Sequence, residues 1–100
     1  MLLTTLDVNK EYEVLGLAQG SSIKAVHLGR DILAGLKKLI GGEVGTYGKM
    51  IADARQEALQ KMVAEAERLG ANAVVGVRFS TSTVTTGAAE ILAYGTAVKI

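Results

Sequence analysis

The chain has 100 residues, of which 49% are hydrophobic, 21% charged and only 4% aromatic, with a formal net charge of +1 and no Cys, Pro or Trp. That length makes a single domain, residues 1–100, whose modest core must come from Ala, Val, Leu and Ile. The missing Cys excludes disulfides, thiolate nucleophiles and Cys-based zinc sites, and the near-neutral charge argues against nucleic acid as a partner.

The N-terminus, Met1-Leu2-Leu3 followed by Thr4, Thr5 and Asp7, does not read as a signal peptide. No apolar run approaches the ~18 residues of a membrane span. A cytoplasmic protein without membrane association is the expectation. Residues 2–6 read as a short strand or arm, and Asp7-Val8-Asn9-Lys10 as a turn. Residues 12–18 read as a strand. Tyr12, Val14, Gly16 and Ala18 share one face, and Leu15 and Leu17 share the other with Glu13 and Gln19. Gly20-Ser21-Ser22 is expected to end or bend it.

The period then changes. Ile32, Leu33, Leu36, Leu39 and Ile40 are spaced for an amphipathic helix over residues 26–40, stopped by Gly41-Gly42. Gly29 and Gly35 inside it each cost roughly 1 kcal/mol relative to Ala, which a close backbone neighbour would explain. A second, longer helix runs from Thr46 or Tyr47 to Leu69, with Thr46 as N-cap and Gly70 as the left-handed residue after its end. Its apolar stripe is Ile51, Ala54, Ala58, Met62, Ala66 and Leu69, and its outer face pairs Lys49 with Asp53 and Glu57 with Lys61. Residues 73–84 form the next strand, with Val75, Val77 and Phe79 on one face and Val74, Arg78 and Ser80 on the other. Its hydroxyl-rich distal half reads as exposed, and Gly87-Ala88-Ala89 as a hairpin turn or bulge. In residues 90–98 both faces are apolar: Ile91, Ala93 and Ala97 on one, Leu92, Tyr94 and Val98 on the other. Such a strand needs cover on both sides. One chain of this size supplies one covering layer, so a second copy is expected to supply the other.

Three groups of residues invite a chemical reading. His27 and Asp31, four apart on one helical face, offer two ligands for a divalent metal. The Gly-rich stretch 41–49 runs into a helix N-terminus and offers an anion site at Gly45, Thr46 and Lys49. It is not a Walker A loop, because Met50 follows Gly48-Lys49 where Ser or Thr is needed. Asp53 and Glu57 read as part of a solvated, salt-bridged face. Tyr47 and Tyr94 read as core or subunit contacts. No nucleophile–base arrangement is visible, so an enzyme is not expected.

Several landmarks occur together along nearly the whole chain: Thr4-Thr5; Gly29-Arg30-Asp31-Ile32 and Ala34-Gly35; Gly41-Gly42 with Gly45 and Tyr47; Ala54-Arg55 and Ala58; Leu69-Gly70-Ala71-Asn72-Ala73-Val74-Val75-Gly76-Val77; and Gly95-Thr96-Ala97-Val98. Jointly they resemble the YbjQ-like family, small bacterial and archaeal proteins often labelled "putative heavy-metal-binding". The resemblance implies an α+β, two-layer β-α-α-β-β subunit of the dodecin-like kind. Its antiparallel three-stranded sheet has order 1-3-2, is packed on a long helix, and is assembled as a homo-oligomer, a pentamer. His27 matches no landmark, and the absence of a Cys in or near the first long strand weakens a soft-metal reading. The expectation is a self-assembling, non-enzymatic protein. The alternative is a metal-ion or small-anion binder with sites repeated around the ring, for which a divalent metal ion would be the cofactor.

Overall fold

The computed structural model describes residues 1–25, 44–85 and 87–100. The helix expected over residues 26–40, with Gly29 and Gly35, lies outside the described residues. Those described form strand β1 (Leu2–Leu3), strand β2 (Glu13–Ala25), helix α1 (Val44–Arg68), strand β3 (Ala73–Thr85) and strand β4 (Ala88–Lys99). The sheet order is β1-β3-β4-β2. β4 pairs antiparallel with both β2 and β3, whereas β1 pairs parallel with β3. The expected three-stranded antiparallel sheet is therefore corrected to a four-stranded mixed one. The added strand exists because the N-terminal backbone finds partners: Leu2 N donates to Asn72 O (3.2 Å), Thr4 N to Val74 O (3.1 Å), and Val77 N to Thr4 O (3.0 Å).

β2 does not stop at Gly20-Ser21-Ser22. It runs on to Ala25, because Gly20, Ser21 and Ser22 pair with Ala93, Leu92 and Ile91. A central partner strand overrides the local turn signal. Two register shifts also overturn the expected faces. Between Val14 and Gly16 the extra residue is Leu15, whose side chain joins the core beneath α1. In β3 the shift lies between Val75 and Arg78, at Gly76, whose φ of +63° suits a residue without a Cβ. Val75 then packs with Ala73 and Val98 on the sheet face away from α1, while Val77 packs beneath the helix. The two valines lie on opposite faces, not one.

α1 starts at Val44, so Thr46 sits within the first turn and is not the N-cap. The helix ends as the sequence reads. Gly70 has φ +86° and donates to Glu67 O (2.9 Å), and Ala71 N donates to Ala66 O (3.0 Å). These are the two bonds of a Schellman stop. Asn72 follows and ties both ends of the chain's last residue: its Nδ2 donates to Ile100 O (3.0 Å), and Ile100 N donates to its Oδ1 (2.8 Å).

The core is a thin layer of small side chains. Ala54, Ala58, Met62 and Ala66 of α1 are fully buried against Ala18, Val74, Ile91, Ala93 and Ala97 of the sheet. Ile51, one turn nearer the helix start, is 36% exposed. The tightest point is Gly20. A Cβ placed there would fall 2.6 Å from both Ala58 O and Lys61 Cβ, and against the Met62 amide nitrogen. On the opposite sheet face the chain covers one end of itself: Val8 and Tyr12 pack over Ala73, Val75 and Val98. Tyr12 Oη donates to Asp7 Oδ1 (2.7 Å), a bond to a carboxylate that raises the phenol's pKa.

Gly20→Ala is expected to lower unfolding stability by about 1–3 kcal/mol, since helix backbone must move to admit a methyl group. Gly48 lies in α1 with nothing within 4 Å of a Cβ built there. Gly48→Ala is therefore expected to raise stability by about 0.5–1 kcal/mol, and urea titration of both variants checks the contrast. Ala93→Asp places a carboxylate at a fully buried position facing α1. The expected outcome is loss of the cooperative folded state in circular dichroism; unchanged melting would refute that placement.

Candidate functional site

Because β2 continues to Ala25, Ser22 and Lys24 fall on the same face as Ala18 and Gly20, facing the middle of α1. Ser22 is buried, and its Oγ donates to Glu57 Oε2 at 2.8 Å. Lys24 Nζ lies 2.8 Å from the same oxygen. One turn along, Lys61 Nζ donates to Ser21 O at 2.9 Å. Five residues thus join helix to strand beside the Gly20 crossing. Glu57 was expected to pair with Lys61 on the outer helix face. It turns instead toward the strand, where two donors meet its carboxylate.

The hydrogen bond from Lys24, then that from Ser22, hold the Glu57 carboxyl below its ordinary pKa. A carboxylate so held stays ionised near neutral pH and is a poor general acid or base. Lys49 pairs with Asp53 at 3.1 Å, both well exposed. Such a pair contributes little. Arg68 holds Glu65 in the same way near the helix end (2.6 Å). The open depression bounded by Asp53, Gln56, Glu57 and Gln60 is a polar helix surface.

The residues singled out from the sequence do not converge. His27 and Asp31 lie outside the described residues. Gly45 and Thr46 are in the first turn of α1, and the side chains of Thr46 and Tyr47 are outside the described set. Lys49 is directed to Asp53. Among the described residues no group of three or more His, Cys, Asp or Glu is placed to hold a metal ion. No helix there is long and apolar enough to cross a membrane.

What the structure does bring together is a surface. Cross-strand partners share a face. On the face away from α1, Val75, Thr96 and Leu17 form one row, Arg78, Tyr94 and Gln19 the next, then Ser80, Leu92 and Ser21, then Ser82, Glu90 and Ile23. Leu17 and Ile23 are each 60% exposed, and Leu92 and Tyr94 are half-buried. Arg78 reaches from this face to Thr5 O (2.7 Å), pinning the N-terminal arm. Strand periodicity finds Leu92 and Tyr94 on this face. Ile23 joins them only once β2 is known to continue past Gly20.

The Ser22–Glu57–Lys24 junction carries a signed pH effect. Glu57 is more acidic folded than unfolded, so its stabilising contribution is complete above the ordinary carboxylate pKa and is lost as pH falls through the depressed folded value. The urea midpoint of the wild-type chain is expected to fall between about pH 5 and pH 3. Glu57→Gln is expected to have a lower midpoint at neutral pH and a flatter decline over that window. Parallel pH profiles for the two proteins would show that the junction contributes nothing.

A YbjQ family model described as "Putative heavy-metal-binding" matches residues 1–100. A UPF0145 protein of Methanosarcina acetivorans is 54% identical over 103 aligned positions, covering 100% of this chain and 97% of that protein. A UPF0145 protein of Archaeoglobus fulgidus is 57% identical over 88 positions, covering 88% of this chain and 82% of that one. One from Thermotoga maritima is 52% identical, covering 100% and 97%. Among solved structures, a Pediococcus pentosaceus protein of unknown function, assigned to the DUF74 family, superposes with a TM-score of 0.75 at 20% identity, covering 100% of this chain and 97% of that one. That similarity shows a shared fold. The family match and the identities over the full chain show that this protein belongs to the YbjQ family, whose relatives carry the name UPF0145.

Proposed function

We propose that the chain is a non-enzymatic, self-assembling cytoplasmic protein whose copies complete one another's sheet in a pentameric ring. The observation that carries this reading is the uneven cover of β4. Toward α1, Ile91, Ala93 and Ala97 are buried. On the other face Val98 is buried under the chain's own N-terminal arm, but Leu92 and Tyr94 are half-covered beside exposed Leu17 and Ile23. Contiguous exposed apolar groups on a small domain mark an interaction surface. A second copy is the partner that is always present at the needed concentration. The pentameric size is the expectation carried by the family resemblance.

The family description favours a second reading, a metal binder. The described residues supply no donor set for a heavy metal, since the chain has no Cys and its described acids pair with Lys or Arg or stand apart. His27 and Asp31 remain its candidates, with a divalent ion as ligand.

Light scattering on untagged protein tests the first reading. The expected mass is about five times the 10.4 kDa chain. A monomer at every concentration would sink it. Elemental analysis of the same sample tests the second. A stoichiometric metal lost in His27→Ala would support it, and no copurifying metal would count against it.

A further inference from the structure

Residues 1–12 are joined to the sheet by few bonds, gathered at one place. β1 pairs with Ala73 and Val74 of β3. Leu2 N donates to Asn72 O (3.2 Å), Thr4 N to Val74 O (3.1 Å), and Val77 N to Thr4 O (3.0 Å). Among the described residues one side chain from outside the arm adds to these. It is Arg78, whose Nη1 donates both to Thr5 O (2.7 Å) and to Val77 O (2.9 Å). Beyond Thr5 the arm's side-chain hydrogen bonds close on the arm itself. Leu6 N donates to Thr4 Oγ1, and Asp7 Oδ1 accepts from both Val8 N and Tyr12 Oη. The apolar cover is separate too. Val8 and Tyr12 pack on Ala73, Val75 and Val98, a cluster that shares no residue with the core beneath α1. Leu6, between the two attachments, is 72% exposed.

We infer that residues 1–12 are a strap, latched by Arg78, that opens as a unit while α1, β2, β3 and β4 stay folded. Segments with few buried apolar contacts and exposed hydrogen bonds open well below the free energy of global unfolding. Opening this one breaks the bonds at Leu2, Thr4, Thr5 and Val77 and uncovers Val75 and Val98, but leaves every contact of the helix with the sheet in place. Arg78 is the latch because its bond to Val77 O fixes the guanidinium on β3, and the same nitrogen then holds Thr5 O. A charged donor on a carbonyl is stronger than a neutral one. The consequence lies on the sheet face away from α1. Val75 and Val98 share that face with Leu17, Leu92 and Tyr94, so the strap sets how much of one apolar face is open. The strap does not depend on the number of copies, so it goes beyond the assembly proposed above.

Native-state hydrogen exchange on the full-length wild type and on Arg78→Gln tests both parts. The reporters are the amides of Thr4 and Val77, which bond across the junction of strap and sheet. The references are the amides of Ala58 and Met62, inside α1. In the wild type the reporters are expected to exchange faster than the references and with a weaker dependence on urea, because opening the strap exposes less surface than unfolding the chain. In Arg78→Gln the reporters are expected to exchange about tenfold faster still, with the references unmoved. Reporters that share the rate and urea dependence of α1 overturn the strap, since the arm then leaves only when the whole chain unfolds. Reporters that open early in the wild type but do not respond to Arg78→Gln overturn the latch alone. Should circular dichroism show Arg78→Gln unfolded, Val8→Ala takes its place, trimming the cover over Val75 with Arg78 intact. The same selective acceleration is expected of it, and equal acceleration of reporters and references overturns the strap.

Discussion

The approach of α1 to β2 at Gly20 is the constraint on which the rest of this structure depends. Helix backbone and Lys61 Cβ lie where any side chain at that position would go. Two surfaces come this close only if both are built of small residues, and they are: Ala54, Ala58 and Ala66 above, Ala18, Gly20, Ala93 and Ala97 below. The low aromatic content is the compositional trace of the same fact. Interiors are filled to crystal-like density, so a thin layer of alanines leaves no room for a ligand between helix and sheet.

The seat of the helix follows from that approach. α1 lies over β2 and β4, and the polar junction of Ser22, Lys24 and Glu57 fixes it laterally on β2. A single helix about 10 Å wide does not span three long strands set nearly 5 Å apart. The distal half of β3 falls outside its footprint, and from Phe79 to Thr85 its side chains are exposed, whereas Val74 and Val77 pack beneath the helix. The Ser and Thr that fill that half are suited to water on both faces while keeping the strand extended. The hydroxyl-rich tail of β3 is thus a consequence of where one helix can sit.

Features governed by local rules were legible from the sequence. The stripe of α1 follows from its period, and its stop from Gly70, because the left-handed turn needs glycine there. The mixed cover of β4 was legible from its two apolar faces. Features governed by pairing were not. Gly20-Ser21-Ser22 reads as a turn until β4 is present to hold it extended. One extra residue at Leu15, and another at Gly76, reverses every facing downstream, and no side-chain pattern announces the slip. The Glu57 junction was missed for the same reason: Lys24 lies on a strand that the local reading had already ended. Of the candidate ligands, Lys49 proved engaged with Asp53 because a helix brings residues four apart together regardless of any loop before it.

The apolarity of β4 calls for cover in three places, and the described residues supply it at two of them. The helix shelters Ile91, Ala93 and Ala97. The N-terminal arm, tied down by Arg78 on Thr5 and by the Tyr12–Asp7 bond, shelters Val98 with Val75. It reaches no further along the face, because the arm must return to start β2 at Glu13. Leu92 and Tyr94 are left in the middle of the uncovered half, flanked by hydroxyl groups on β3 and by Leu17 and Ile23 on β2. Apolar exposure there is asymmetric, heavier toward the β2 edge than toward β3.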